Sequence, residues 1–409
     1  MKNGKRKKRA NGEGCIRQLK DGRWEARITD GYDEFGKQHW QTFSSKSQSV
    51  VIAKLKEFQA NKEQFKSEKA VKYKMREWLK IWYETYVKYN VRPSTRASYE
   101  GIINNYLISY IGNINLVDLK KVDLEHMYSK LLTVSIAGKK NNGLSVKTIK
   151  NIHLVIHKAL QEALEREYIF KNVADIAKVP TLKSQNISKK EIEIYSQEEQ
   201  NKLINVAKND NVYGIVIIFA LFTGMRKGEI LGLQWSDIDF ENQTINVNKQ
   251  LSRLKNYDTP ETSKTILAIQ YNTKTNNSTR KVAMCDSLKK ILENHYIKQK
   301  KYKKIFGNNY KNNNMVFCRE DGSYLDPDTL LSKYKALVYK ANIRPCTFHA
   351  LRHTFATRAL ESGIPAKVVS TTLGHSSVQF TLDIYTHVLD DVKLDEINKL
   401  DIFLSKSLA

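Results

Sequence analysis

Apolar and polar positions change period several times along the chain, and the changes divide it into regions. GCIRQL from Gly14 and RWEARITDGYD from Arg23 alternate as strands do, with KDG between them as a turn. EFGKQ turns again, HWQTFSS from His39 makes a third strand, and the pattern becomes helical from Lys46 to about Lys66. Three strands and one helix predict a small module over residues 1–66, opened by the basic arm MKNGKRKKRANGEG. From Tyr73 to about Leu182 everything reads helical. KMREWLKIWYETYVKY carries apolar and aromatic residues at helical spacing, VRPSTRASYEGIINNYLISYIG opens on Pro-Ser-Thr and stops at a Gly, and LSVKTIKNIHLVIHKALQEALEREYI begins on a Ser cap. That predicts an all-α domain over 72–183, whose Trp and Tyr residues are for the most part core. The polar stretch LKSQNISKKEIEIY supplies a linker at 184–194. A larger α+β domain follows over 195–390, then a tail over 391–409 with Leu394, Ile397, Leu400 and Phe403 at roughly helical spacing.

Composition narrows the partners. The 409 residues are 41% hydrophobic, enough for several cores. Against 43 acidic residues stand 68 Lys and Arg, a formal net charge of +25. An excess that large points to a polyanion, and nucleic acid is the commonest. No apolar run approaches the roughly 18 residues of a membrane-spanning helix; the longest, VYGIVIIFALF from Val212, fits a buried core helix. No apolar signal region follows the basic start. Cys15, Cys285, Cys318 and Cys346 are scattered without metal spacing and read as reduced thiols, so a cytoplasmic protein is expected.

Candidate chemistry lies in four separated stretches. In LFTGMRKGEILGLQWSDID a buried helix ends at Gly224 and a new one starts with Arg226 in its first turn, Glu229 one turn on, and Leu231 and Leu233 toward the core. In YNTKTNNSTRKVAM two strands are joined by an Asn-rich turn beside Lys274, with Lys281 the alternative basic residue. In HALRHTFATRAL, His349 and Arg352 are three apart and share a helical face, with Leu351, Phe355 and Leu360 as core contacts. In AKVVSTTLGHSSVQFTLDIYTHV a helix stops at Gly374, His375 sits in the turn, and Ser376 or Ser377 caps a helix whose core stripe is Phe380, Ile384 and Val388, with Tyr385 one step off it. Taken singly each stretch reads as solvated charge, a structural His or one Tyr among 21.

Together they are far more specific. The ordered set Arg226, Lys274, His349, Arg352, His375 and Tyr385, carried by TGMRKGEILGL, HALRHTFAT, LGHSS and YTHV, resembles the tyrosine recombinases, also called phage-type integrases. The resemblance is strongest over 195–390. It extends to the helical region as the family's core-binding (SAM-like) domain, and to the first 66 residues as the arm-type DNA-binding module of integrases from conjugative transposons and some phages. It departs at a polar insertion from about Leu251 to Tyr271, which leaves Lys274 and Lys281 both open as general acid. The resemblance implies a 3′-phosphotyrosyl intermediate on Tyr385 and a phosphate clamp of Arg226 and Arg352. It further implies His349 as base, His375 on the phosphate, Lys274 as general acid and Glu229 as support. No cofactor and no metal is implied, in keeping with a sequence that has no Walker-type loop and no Asp/Glu metal cluster. Implied partners are core-type and arm-type attachment sites on duplex DNA, a homotetramer, an excision or directionality factor and a host DNA-bending protein, with no membrane. The tail would dock on its own catalytic domain or on a neighbouring protomer. The competing class is a catalytically inactive DNA-binding regulator derived from an integrase; a relaxing topoisomerase of the same chemistry is a third.

Overall fold

The computed structural model describes residues 14–32, 38–66, 73–133, 143–181, 193–256, 265–271, 279–375, 377–379 and 381–382. The chain divides into two compact units, Met1–Ser188 and Lys189–Ala409. The architecture is an N-terminal three-stranded sheet, a helical region and a mixed, mainly α region.

In the first unit, β1 (Cys15–Gln18), β2 (Trp24–Tyr32) and β3 (Gln38–Ser45) form an antiparallel sheet in the order of the sequence. Alternation puts Ala26 and Ile28 on one face, where Val51, Leu55 and Phe58 of α1 (Gln48–Lys66) cover them. Phe58 also meets the ring edge of Phe170 at 5.0 Å between centroids, so this small core borrows a side chain from the helical region. There α2 (Met75–Trp82) buries Met75, Trp78, Leu79 and Trp82, the i, i+3, i+4, i+7 set of one helical face. A π-helical turn, Tyr83–Val87, prolongs it. Next come α3 (Pro93–Ile102), a second π turn at Ile103–Leu107, α4 (Ile108–Ile111), α5 (Lys121–Thr133) and α6 (Val146–Glu165). Pro93 opens α3 at a position where no amide is needed, and Ser145 caps α6 by accepting from Thr148 N at 3.2 Å. The Trp78 indole donates to Ala159 O at 2.9 Å, which pays its polar cost while tying α2 to α6.

In the second unit, α7 (Gln197–Ala207) precedes α8 (Gly214–Thr223), which is apolar all round and buried along its length. Gly224 ends it at φ +61°, in the left-handed region; a Cβ there would lie 2.4 Å from Phe355 Cδ1. After α9 (Lys227–Leu231), β4 (Ile238–Asp239) and β5 (Thr244–Val247) join β8 (Arg280–Ala283) in one sheet, while β6 (Lys249–Lys255) and β7 (Thr265–Tyr271) form a separate ribbon. The polar insertion is therefore largely an antiparallel ribbon. The strands flanking the Asn-rich turn, β7 and β8, are not partners of each other; each pairs with an earlier strand. The remaining described helices are α10 (Asp286–Phe306), α11 (Pro327–Lys340), α12 (His349–Glu361) and α13 (Ala366–Leu373). No helix among the described residues is long and apolar enough to cross a membrane.

Candidate functional site

The second unit brings together residues from widely separated stretches. α8 stops at Gly224 because its left-handed backbone ends the helix, and the chain re-enters helix at Lys227. Arg226 is the residue before α9, extended at φ −71° and ψ 148°, and α9 is only five residues long; the expectation of Arg226 inside a first helical turn is corrected to this position. Glu229 reaches back and accepts from the Arg226 backbone N–H at 3.0 Å and from its Nη1 at 2.9 Å. Leu231 and Leu233 enter the core, as their spacing predicts.

His349 and Arg352 come from the first turn of α12, on one face. Arg352 is only 4% exposed; its Nη1 donates to Gly224 O at 2.9 Å and its Nη2 to Leu373 O at 2.8 Å. Arg226, with 45% of its side chain exposed, donates Nη2 to Gly374 O at 3.0 Å. The two arginines thus flank the turn that ends α13, one beneath it and one open to solvent. Gly374, at φ +67°, makes that turn, and His375 follows with Nδ1 2.7 Å from Thr381 Oγ1.

Electrostatics follow from this crowding of cations. Burial lowers the pKa of His349, and the charges of Arg352 and Arg226 lower it further. The same causes bring His375 down to about 4, with His353 and His349 adding to the two arginines. His353, edge-on to His349 with ring centroids 4.8 Å apart, is also brought to about 4, by burial first and then by His349 and Arg352. All three imidazoles are neutral near pH 7. Burial pushes the Glu229 carboxyl up, but hydrogen bonds and charge from Arg280, then those of Arg226, outweigh it and leave it at about 2.

Among the expected residues, Arg226, Glu229, His349, Arg352 and His375 meet here. Lys274 and Tyr385 lie outside the described residues, as do Ser376, Phe380, Ile384, Val388 and the tail. Lys281 is exposed on β8, where alternation turns it to the side opposite Arg280, and its charge is felt by Asp239. Three residues of the site carry no motif signal strong enough to be singled out beforehand. Thr381, fully buried, is bonded to His375. Lys227 is half-buried, donates to Pro327 O at 3.3 Å, and has its amine pKa lowered by burial. It walls a cavity of about 280 Å³ with His349, Arg352, Phe348 and Leu331. The third is Arg280, buried and bidentate to Glu229 at 3.1 and 2.7 Å. Its available signal is phase: it alternates with Val282 and Met284, both buried, so a strand reading places a guanidinium on the inward side. Among the described residues no group of three or more His, Cys, Asp or Glu is placed to hold a metal. The arrangement suits an oxyanion: guanidinium groups at two depths, neutral imidazoles able to donate or accept, and one carboxylate already committed to arginines.

Residues 193–391 match the phage integrase family, and residues 74–132 match the phage integrase N-terminal SAM-like domain. A tyrosine recombinase XerC-like protein of Caldanaerobacter subterraneus is 31% identical over 92% of this chain and 95% of its own length. The ICEBs1 integrase of Bacillus subtilis is 24% identical over 95% of this chain and all of its own, 100%. Among solved structures, the Tn1549 transposon integrase in complex with transposon right end DNA superposes with a TM-score of 0.63 at 23% identity, covering 80% of this chain and 99% of that one. A lambda integrase dimer bound to a core site gives a TM-score of 0.53 at 17% identity, covering 94% and 96%.

Proposed function

The chain belongs to the tyrosine recombinase (phage integrase) family, and on that premise we propose that it cuts and rejoins DNA at specific sites through a 3′-phosphotyrosyl intermediate, integrating and excising a mobile element. The observation that carries this reading is the convergence of Arg226, Arg352 and His375 on one turn, with His349 in the field of both arginines.

A phosphodiester is an anion that repels nucleophiles, so cleavage requires charge neutralisation, a positioned nucleophile and a proton for the leaving oxygen. Arg226 and Arg352 clamp the non-bridging oxygens. The Arg352 fork is held by the carbonyls of Gly224 and Leu373, which fixes the plane in which it meets the phosphate. Tyr385 Oη attacks phosphorus while His349, neutral in this field, takes the phenolic proton. The bond from phosphorus to the 5′ oxygen breaks, and Lys274 gives that oxygen its proton. His375 Nδ1 is held on Thr381 Oγ1 at 2.7 Å; in the tautomer in which Thr381 donates, the Nε2–H of His375 is left to serve the phosphate. The products are a 3′-phosphotyrosine and a free 5′ hydroxyl. Attack by a second 5′ hydroxyl reverses the step, so the bond energy is conserved and no nucleotide is consumed.

In this reading residues 1–66 hold arm-type sites, 72–183 hold core-type sites, 184–194 link, 195–390 catalyse, and the tail 391–409 docks on its own catalytic domain or on a neighbouring protomer. Arg17, Arg27 and the exposed Trp40 equip the N-terminal sheet for a DNA groove. A tetramer, in which lambda integrase has been seen on a Holliday junction, is the assembly carried over. A directionality factor and a host DNA-bending protein would complete it, in the cytoplasm on the nucleoid. The test is a nicked suicide duplex carrying the junction sequence read from the excised circle. Wild type should form a covalent adduct, and Tyr385→Phe should bind the duplex and form none. An adduct on the Phe variant overturns the nucleophile; binding without any wild-type adduct favours the inactive regulator.

A further inference from the structure

Three successive carbonyls at the end of α13 each accept from a different arginine. Thr372 O accepts from Arg280 Nε at 2.6 Å, Leu373 O from Arg352 Nη2 at 2.8 Å, and Gly374 O from Arg226 Nη2 at 3.0 Å. The carbonyls just before them are already used, Ser370 O by His375 N and Thr371 O by Gly374 N. The last carbonyls of a helix have no partner within it and carry the negative end of its dipole, so cations there are favoured. Two of the three arginines are the phosphate clamp. The third has no part in that clamp.

Arg280 is 7% exposed. Both of its terminal nitrogens are on the Glu229 carboxylate and its Nε is on Thr372 O. Glu229 in turn holds Arg226 through its backbone N–H and its Nη1. One guanidinium therefore joins β8, α9 and the α13 turn. A Cβ added at Gly374 would lie 3.0 Å from Arg280 Nη1 and 3.1 Å from its Cδ, so the turn packs directly on this side chain. A lysine has neither the planar fork nor the third, sideways donor that this arrangement uses.

We propose that Arg280 is a positioning residue for strand cleavage: it locks Glu229 and the 372–374 turn into one frame, so that Arg226 and His375 meet the scissile phosphate at a fixed geometry. Arg280 acts through Glu229 and Thr372 O and not on the phosphate itself. The inference rests on the reading of the site given above, and its test separates the two.

Full-length wild type, Arg280→Ala and Arg280→Lys are compared on the nicked junction duplex, below the melting temperature of all three. Displacing reacting groups by about 1 Å costs on the order of 100-fold in rate. Arg280→Ala should therefore lose about 100-fold in single-turnover adduct formation, with the Kd for the duplex unchanged, and guanidinium ion added to the buffer should restore part of the rate. Arg280→Lys should fall between the two, and it serves as the readable variant where Arg280→Ala does not fold. Wild-type cleavage by either variant overturns the proposal, as does a rate loss matched by loss of DNA binding. Should wild type itself form no adduct, the cleavage reading fails while Arg280 remains decidable from histidine NMR of the DNA-free protein. There, replacement of Arg280 should move the His375 resonances and leave those of His153, in the other unit, in place; unmoved His375 resonances overturn the proposal.

Discussion

A histidine among arginines can accept a proton only if it starts neutral, and the local field ensures that here. His353 and His375 are held at about 4, and His349 below its ordinary value, by burial first and then by neighbouring positive charge. In the unfolded chain the same groups take up protons near pH 6.5. Between about pH 6.5 and about 4 the unfolded state therefore binds more protons than the folded one. This contribution to stability is intact above that window and is lost progressively as pH falls through it. Glu229, held at about 2, acts in a lower window, keeping its contribution above its ordinary carboxyl range and losing it only toward pH 2. Denaturant midpoints measured from pH 8 down to 4 should stay level to near neutrality and then fall. A level profile across the histidine window would contradict the neutral assignment. At this scale the sequence was legible where chemistry and spacing coincide, as for His349 and Arg352 three apart on one helix. It was illegible for Arg280 and Thr381, because a lone Arg in a strand and a lone Thr after a turn have many ordinary explanations. The packing of α13 on β8 gives Arg280 its role, and the contact with His375 gives Thr381 its own.

Elements were legible according to how local their signals are. Caps and stops act over a few residues, so the ends of α8 and α13 at Gly224 and Gly374 and the start of α6 at Ser145 follow from sequence alone. Strand pairing is non-local. Nothing in YNTKTNNSTRKVAM tells that its two strands belong to different sheets, or that Lys249 at the head of the ribbon is buried on Asp237 at 2.9 Å. The two π turns in the helical region were equally unreadable, since an apolar stripe continues through them. The start of α11 illustrates a local signal with a measurable worth. Asp326 accepts from the backbone of Asp328 and Thr329, each at 3.0 Å, and also pairs with Arg253 of the β6–β7 ribbon. Replacing a side chain that caps a helix costs about 1 kcal/mol. The exposed part of the ion pair adds little to this. Asp326→Ala should lower unfolding stability by about 1 kcal/mol, and Asp326→Asn, which keeps the cap and loses the charge, should recover most of it. Equal losses in the two variants would place the stabilisation in the ion pair instead.

At the scale of the molecule the dominant fact is the charge of +25. Ion pairs inside the fold, such as Arg280 with Glu229 and Lys249 with Asp237, cancel within themselves and leave that excess untouched. It falls on exposed side chains, among them Lys147, Lys150 and Lys158 of α6 in one unit and Lys300, Lys301, Lys303 and Lys304 of α10 in the other. Surface of one sign on this scale opposes compaction, and under the proposed function it displaces the counterions of a polyanion. Duplex binding should therefore weaken steeply with salt. A protein engaging 6–10 phosphates loses about 10³- to 10⁵-fold in affinity between 50 and 200 mM salt. Each lysine that meets a phosphate should reduce the slope by about one when changed to Gln, and by the same amount on any sequence. Under the proposed mechanism Arg226 and Arg352 spend their binding on the transition state, so changes there should alter rate far more than salt dependence. Competition titrations on junction and random duplexes, at several salt concentrations, resolve the two contributions. A slope near zero on both duplexes would mean that the charge excess serves something other than DNA. A steep slope common to both, with tighter binding of the junction at every concentration, is the outcome expected of a protein that grips backbone everywhere and selects its site by a smaller set of contacts.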